Sequence, residues 1–78
     1  MAKSRHTTRY ERLLQVLKAA RKEAHLTQTQ VAEHFGAHAS FVSKVESGER
    51  RIDVVELADF CRIYGVRTSS LIKRAGLD

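Results

Sequence analysis

The chain has 78 residues, of which 42% are hydrophobic, and this length fits one small domain with a lean core. No apolar run is long enough to span a bilayer, and none follows the basic N-terminus, so we expect neither a membrane span nor a signal peptide. The single cysteine, Cys61, cannot form an internal disulfide. We therefore expect a reducing, cytoplasmic location.

The positive charge is concentrated at one end of the chain. The formal net charge is +5, yet residues 1–22 hold seven basic residues against one acidic residue, a net of +6. The remaining residues are close to balance. Such asymmetry indicates a polyanionic partner, either nucleic acid or a membrane surface, although a solvated tail that only aids solubility is an equal alternative.

The pattern of glycines predicts an all-α chain of five helices. Gly36, Gly48, Gly65 and Gly76 each follow an apolar-periodic segment, where helices commonly end with a left-handed residue. His25 is expected to take that conformation at the end of the first helix, because histidine is enriched at positive φ. The absence of proline agrees with this assignment.

Capping patterns predict where the helices begin. Residues 1–7 are expected to form a flexible basic arm and residues 8–78 the folded domain. Three capping boxes mark helix starts, formed by Thr8 with Glu11, Thr27 with Gln30, and Asp53 with Glu56. After the first helix, the predicted helices are about 28–35, 39–47, 54–64 and 69–75. Helix four should bury a stripe of Val54, Leu57, Ala58, Cys61 and Tyr64, with Phe60 and Ile63 beside it.

The third predicted helix offers the core little except Val42 and Val45. Its other positions are mostly small or polar. Two short helices joined by a glycine-containing turn, here at Gly36, form a helix-turn-helix when the second can enter a DNA major groove. Small side chains allow close approach to the bases, and polar ones can read them. The spacing alone is shared by many helical hairpins.

The run T-Q-x-x-V-A-x-x-F-G-x-x-x-S-F-V-S-K-V-E-S-G-E-R-R-I-D-V-V-E-L starts at Thr27 and resembles the Cro and phage-repressor type of helix-turn-helix regulators, the XRE family. The likeness extends over about residues 10–72. It implies an all-α, compact five-helix lambda-repressor-like domain that binds double-stranded DNA, with helices two and three as the helix-turn-helix. It also implies a structural ion pair between Arg21 and Glu46.

The resemblance further implies which residues contact DNA. The base-reading positions match Ala39, Ser40, Phe41, Ser43 and Lys44. The phosphate-contacting positions match Thr27, Gln28, His38, Ser47, Arg50 and Arg51. The resemblance also implies that Gln28 braces the recognition helix.

Five of these positions have a structural alternative. Gln28 can simply be a polar residue in the first turn of its helix. Lys44 can be a solvated surface lysine, and Phe41 can cover the edge of the core. Arg50 and Arg51 can form surface ion pairs with Glu49 and Asp53.

The chain departs from the family pattern at three positions. His38 stands where the recognition helix usually has a serine or threonine cap, and if its imidazole approaches a phosphate, DNA binding should strengthen as the pH falls. Arg67 replaces the usual cap of the last helix, with Thr68 as the expected substitute. Ala39 is shorter than the common base-reading residues, which weakens the expected sequence reading.

These observations predict a sequence-specific transcriptional regulator, a repressor that reads a palindromic operator as a homodimer. The expected basic arm contacts use Lys3, Arg5 and Arg9. The expected dimer face comprises Leu71, Ile72, Ala75 and Leu77, with Phe60 and Ile63 as further candidates. The alternative for these residues is that they close the monomer's core.

Two other functions remain open. One is an antitoxin-like or accessory module that binds a partner protein, and the other is non-specific DNA binding through the arm alone. Metal binding is not expected, because Gly36 interrupts the His34 and His38 spacing and one cysteine gives no second ligand pair. No cofactor motif or catalytic group is apparent, so we do not expect an enzyme.

Overall fold

The computed structural model describes residues 7–78, which form five helices and no strand. No helix in this range combines the length and the apolar character needed to cross a bilayer. The five-helix, all-α prediction is confirmed. The helices are α1 (Thr8–Glu23), α2 (Gln28–His34), α3 (Ala39–Ser47), α4 (Val54–Tyr64) and α5 (Thr68–Arg74).

The helix starts differ from the prediction at two places. Thr7, and not Thr8, caps α1, because its hydroxyl accepts the Tyr10 N–H at 3.1 Å. Arg67 is the N-cap of α5 and makes no side-chain cap hydrogen bond, while Thr68 is already helical, so the proposed substitute cap was wrong. The capping boxes of α2 and α4 are both present as predicted.

The helix ends follow the prediction from glycine spacing. His25 closes α1 with φ of 60°, and its backbone N–H donates to the Lys22 carbonyl at 2.9 Å. Gly48 and Gly65 cap α3 and α4 in the left-handed conformation. Each connection is therefore short. In the packed fold, α1 lies against α3, α4 and α5, and α2 lies against α3 and α4.

The core is formed by one apolar face from each helix. Its most deeply buried large side chains are Leu17, Val31, Val42, Val45, Phe60, Cys61 and Leu71. On α4 the buried residues are Leu57, Phe60, Cys61 and Tyr64, which corrects the predicted stripe. Val54 is 73% exposed and Ala58 is also exposed. The predicted and the observed stripe both satisfy helical spacing, and packing against α1, α2 and α5 selects the observed one.

The apolar residues of α5 close the core of the monomer. Leu71 and Ala75 are each 1% exposed, and Phe60 is 0% exposed. Ile72 and Leu77 are half-buried and pack against the same core. Leu71, Ala75 and Phe60 therefore offer no surface to a second copy, and the expected dimer face is wrong for these three residues.

The two tyrosines in the core give a matched test of buried hydroxyl groups. The Tyr64 hydroxyl is buried without a hydrogen-bond partner, and its burial raises the pKa of that group. The Tyr10 hydroxyl accepts the Ile52 N–H at 3.2 Å. An unpaired buried polar group costs about 1–3 kcal/mol, whereas a satisfied one contributes about 1 kcal/mol.

We expect Tyr64→Phe to leave the free energy of unfolding unchanged or to raise it, and Tyr10→Phe to lower it by about 1 kcal/mol. Urea unfolding of both variants, followed by circular dichroism, checks this. A loss for Tyr64→Phe as large as that for Tyr10→Phe would show that its hydroxyl is satisfied in solution.

Candidate nucleic-acid interface

The connection between α2 and α3 is a tight turn built on Gly36. The Gly36 N–H donates to the Glu33 carbonyl at 3.1 Å, and the Ala37 N–H donates to the Ala32 carbonyl at 3.0 Å. Gly36 adopts φ of 64°, a conformation that residues with a Cβ rarely take. His38 then starts α3 in an extended conformation without a side-chain cap. Two short helices are thus held at a fixed angle.

α3 separates its buried side chains sharply from its exposed ones. Val42 and Val45 are 0% exposed and fix the inner face of the helix. Ser40, Ser43 and Lys44 are exposed, and within residues 7–78 their side chains make no hydrogen bond or ion pair. The outer face of α3 therefore presents polar groups to solvent without protein partners.

The orientation of α3 is secured by a largely buried hydrogen-bond network around Glu46. Arg21 Nε lies 2.6 Å from Glu46 Oε2, and Arg21 Nη2 donates to Oε1 at 3.1 Å. Gln28 Nε2 also donates to Glu46 Oε1 at 2.9 Å, and Arg21 Nη1 donates to the Leu26 carbonyl at 2.8 Å. The hydrogen bond to Glu46 raises the pKa of Arg21. α1, α2 and α3 are thereby joined at one point.

The C-terminal end of α3 is closed by its own backbone and by Ser47. Gly48 is left-handed with φ of 84°, and the Arg50 N–H donates to the Lys44 carbonyl at 3.0 Å. The Ser47 hydroxyl donates to the same carbonyl at 3.1 Å and accepts the Glu49 N–H at 3.4 Å. The loop after α3 is consequently well fixed.

Arg50 is held by α4 and by Phe41 of α3. Its guanidinium donates to both carboxylate oxygens of Glu56, at 3.1 and 2.9 Å, and lies 4.8 Å from the Phe41 ring centroid. The predicted ion-pair alternative named Glu49 and Asp53, so the observed partner is a different one. Arg50 thus links the loop to α3 and to the first turn of α4.

The Phe41 ring lies in an aromatic cluster at the edge of the core. Its centroid is 5.1 Å from that of Phe35 and 6.0 Å from that of Phe60. The ring is half-buried and packs against the core. Phe41 therefore covers the edge of the core, as its structural alternative predicted.

The other predicted contact residues lie around α3. Thr27 caps α2 by accepting the Gln30 N–H at 3.1 Å, and His38 is exposed. Arg51 is exposed, with its guanidinium 4.4 Å from the Tyr10 ring centroid. Arg9 belongs to α1 and not to an arm, while Lys3 and Arg5 lie outside the described residues.

The remaining chemistry of the described residues is limited. Within residues 7–78, no group of three or more histidine, cysteine, aspartate or glutamate side chains could hold a metal ion. Cys61 is buried, and this burial raises the pKa of its thiol. The polar face of α3 and the groups that surround it therefore remain the candidate functional site.

Comparison with known proteins identifies this arrangement. A family model described as a helix-turn-helix domain matches residues 8–74. A solved structure of an XRE-family like protein from Pseudomonas syringae pv. tomato str. DC3000 is 43% identical, with a TM-score of 0.85 over 96% of this chain and 92% of that one. The chain belongs to the XRE family of helix-turn-helix proteins. A comparison with curated proteins found no significant match.

As an XRE-family member, the chain has the fold of a DNA-binding regulator, with α2 and α3 as its helix-turn-helix. The resemblance implied that Gln28 braces α3 but did not name Glu46 as its partner, and the bond from Arg50 to Glu56 was not anticipated. Each of the two bonds connects separate structural elements, and a local charge pattern gives no signal for it.

The ion pair of Arg50 with Glu56 gives a pH-dependent test. The Arg50 guanidinium lowers the pKa of Glu56 below its ordinary value of 4.5. A carboxyl group whose pKa is lower in the folded state stabilises the fold at pH values above its unfolded-state pKa. This contribution is lost as the pH falls through the folded-state pKa. The two side chains are 43% and 23% exposed, so solvent screening limits the contribution to about 1 kcal/mol or less.

We expect Glu56→Gln to lower the free energy of unfolding slightly near neutral pH and to converge with the unmodified protein well below pH 4.5. Glutamine retains the capping box of α4 with Asp53, so the substitution tests the charge. Urea unfolding of both proteins across this pH range measures the difference. A difference that stays constant with pH would contradict the ion-pair contribution.

Proposed function

We propose that the protein is a sequence-specific transcriptional repressor that reads a palindromic operator as a homodimer in the cytoplasm. The observation that carries this proposal is the outer face of α3. Ser40, Ser43 and Lys44 are exposed and make no hydrogen bond within the described residues, while Val42 and Val45 anchor the opposite face. A rigid helix whose exposed polar groups are not bonded within the protein fits a DNA major groove.

The proposed roles follow from the chemistry of each position. Lys44 reads guanine O6 or N7, while Ser40 and Ser43 bond to base edges and Ala39 contacts a thymine methyl group. The Gln28 amide nitrogen carries two hydrogens, so it can bond to Glu46 and to a phosphate together. Phosphate contacts complete the interface through Thr27, His38, Ser47, Arg51 and Arg9.

Arg50 has a different proposed role. Its charge is already offset by Glu56, and three of its five N–H donors are used by Glu56 and by the Arg51 carbonyl. We assign Arg50 to positioning the loop after α3.

Selection from random DNA duplexes at near-physiological salt tests the proposal. A single module of this type buries about 600–1,000 Å² on DNA, so two copies are needed for useful affinity. We expect a palindrome whose half-sites are about 34 Å apart. Recovery of no motif, with binding that disappears as salt rises, would contradict sequence reading and favour the accessory module that binds a partner protein.

A further inference from the structure

Two valines at the start of α4 are exposed without a structural reason. Val54 is 73% exposed and Val55 is 66% exposed, and in the described part of the chain they are the exposed large hydrophobic residues. Asp53 and Glu56 already form the capping box of this helix, so the valines are not needed to start it. β-branched residues also have a lower helix propensity than most alternatives. Neither local structure nor core packing accounts for them.

The exposed surface continues one turn along α4. Ala58 is exposed and lies four residues after Val54 and three after Val55, so the three side chains are neighbours on the helix. Beyond them lies the exposed ion pair of Asp59 with Arg62 at 3.1 Å. We call Val54, Val55 and Ala58 the α4 patch.

The charge around the α4 patch is suited to a second copy of the same chain. A two-fold contact places a surface against itself, so an excess of one charge would repel. Residues 49–62 carry three basic and four acidic residues and are nearly balanced. α1 instead exposes Arg9, Arg12, Lys18 and Lys22, for which no ion pair exists within the described residues. A contact between two copies at α4 would therefore involve little charge repulsion.

The position of the α4 patch relates it to DNA reading. Val55 immediately precedes Glu56, which binds Arg50 in the loop after α3. Arg50 in turn lies over Phe41 of α3. A contact between two patches would consequently set the position of two recognition helices through short, fixed connections.

We infer that the α4 patch is the contact between two copies of this chain on neighbouring half-sites, an inference that rests on the proposed operator binding. The patch is small compared with the 1,200–2,000 Å² or so that stable interfaces bury. Association in solution is therefore weak. DNA that holds two copies side by side supplies a high effective concentration, so the contact forms on the operator and makes binding cooperative.

The test compares DNA carrying two half-sites with DNA carrying one. We expect Val54→Gln combined with Val55→Gln to lower the cooperativity factor on the double site at least tenfold while changing affinity for the single site less than about twofold. Glutamine is uncharged and a good helix former, so it introduces no repulsion from DNA and retains α4. Binding isotherms on both duplexes provide the two quantities.

A matched variant, Ser69→Gln combined with Ser70→Gln, places the same residues on the exposed first turn of α5. It should keep full cooperativity. Loss of cooperativity in this α5 variant, with none in the α4 variant, would overturn the inference. Non-cooperative binding of the unmodified protein would also overturn it. Failure of every variant and of the unmodified protein to bind either duplex would instead contradict the proposed function.

Cross-linking gives a readout that does not depend on affinity. Cys61 is buried, so Val55→Cys supplies an accessible thiol at the patch. A short bifunctional thiol reagent should join two copies on the double site and not on the single site. Equal cross-linking on both duplexes would contradict a contact at the α4 patch.

Discussion

Replacing Glu46 with alanine is expected to lower the free energy of unfolding by about 3–5 kcal/mol, because it leaves a buried charge without its counter-ion. The Arg21 side chain is only 10% exposed, and two of its nitrogens donate to Glu46. The Leu26 carbonyl remains as a partner but carries no full charge. Urea unfolding followed by circular dichroism measures the loss, which is a large share of the stability of so small a domain.

Two comparison variants show whether the buried charge is the cause. Glu49→Ala removes an exposed carboxylate from the same region and should change stability by less than about 0.5 kcal/mol. Arg21→Met combined with Glu46→Leu removes both charges and should recover most of the loss. If the double variant is as unstable as Glu46→Ala, the network stabilises the fold by geometry and not by charge compensation.

Replacing Lys44 with alanine is expected to weaken binding to the selected operator about 5- to 150-fold, with a much smaller effect on unrelated DNA. The lysine is exposed on α3 and has no protein partner within the described residues, so its removal leaves the fold intact. A lost base contact is specific to sequence, whereas a lost phosphate contact weakens every duplex by a similar factor.

Lys73→Ala is the matched control for Lys44→Ala, because it removes the same charge from an exposed position on α5. It should lower affinity for operator and unrelated DNA alike, and only slightly. Titrations of both duplexes at two salt concentrations separate base reading from charge. An equal loss on both duplexes for Lys44→Ala would assign this lysine to the phosphate backbone.

The helix order could be predicted because local signals determine it. Gly48 and Gly65 end helices with positive φ, and His25 does so without being glycine. The start of α1 was placed one residue late because Thr7 and Thr8 are adjacent and the pattern with Glu11 favoured the second. Thr7 is the cap, and its hydroxyl accepts the Tyr10 N–H. Local chemistry thus gives the elements and leaves their ends uncertain by a residue.

The packing of α4 and α5 could not be predicted in the same way. Val54 and Leu71 are equally apolar in sequence, yet one is 73% exposed and the other 1% exposed. Which apolar stripe faces inward depends on where α1 and α5 lie, and periodicity does not contain that information. Half of the expected dimer face therefore fell on buried core residues, while the exposed Val54 was assigned to the core.

The contacts around α3 show the same limit. The resemblance to the XRE family implied the pairing of Arg21 with Glu46, and the structure places these side chains 2.6 Å apart. The resemblance also implied that the third member of the network, Gln28, contacts a phosphate and braces the recognition helix. Its partner on that helix could not be named, since a glutamine in sequence gives no indication of a carboxylate eighteen residues away. Arg50 likewise bonds across a turn to Glu56.

The lack of protein partners for Ser40, Ser43 and Lys44 has a consequence for how DNA preference can change. Because these side chains contribute little to folding, other residues can replace them at little cost in stability. Val42, Val45 and the Glu46 network hold the helix backbone in the same place whatever residues stand on its outer face. A new operator preference can therefore arise by one substitution without a compensating change elsewhere in the chain.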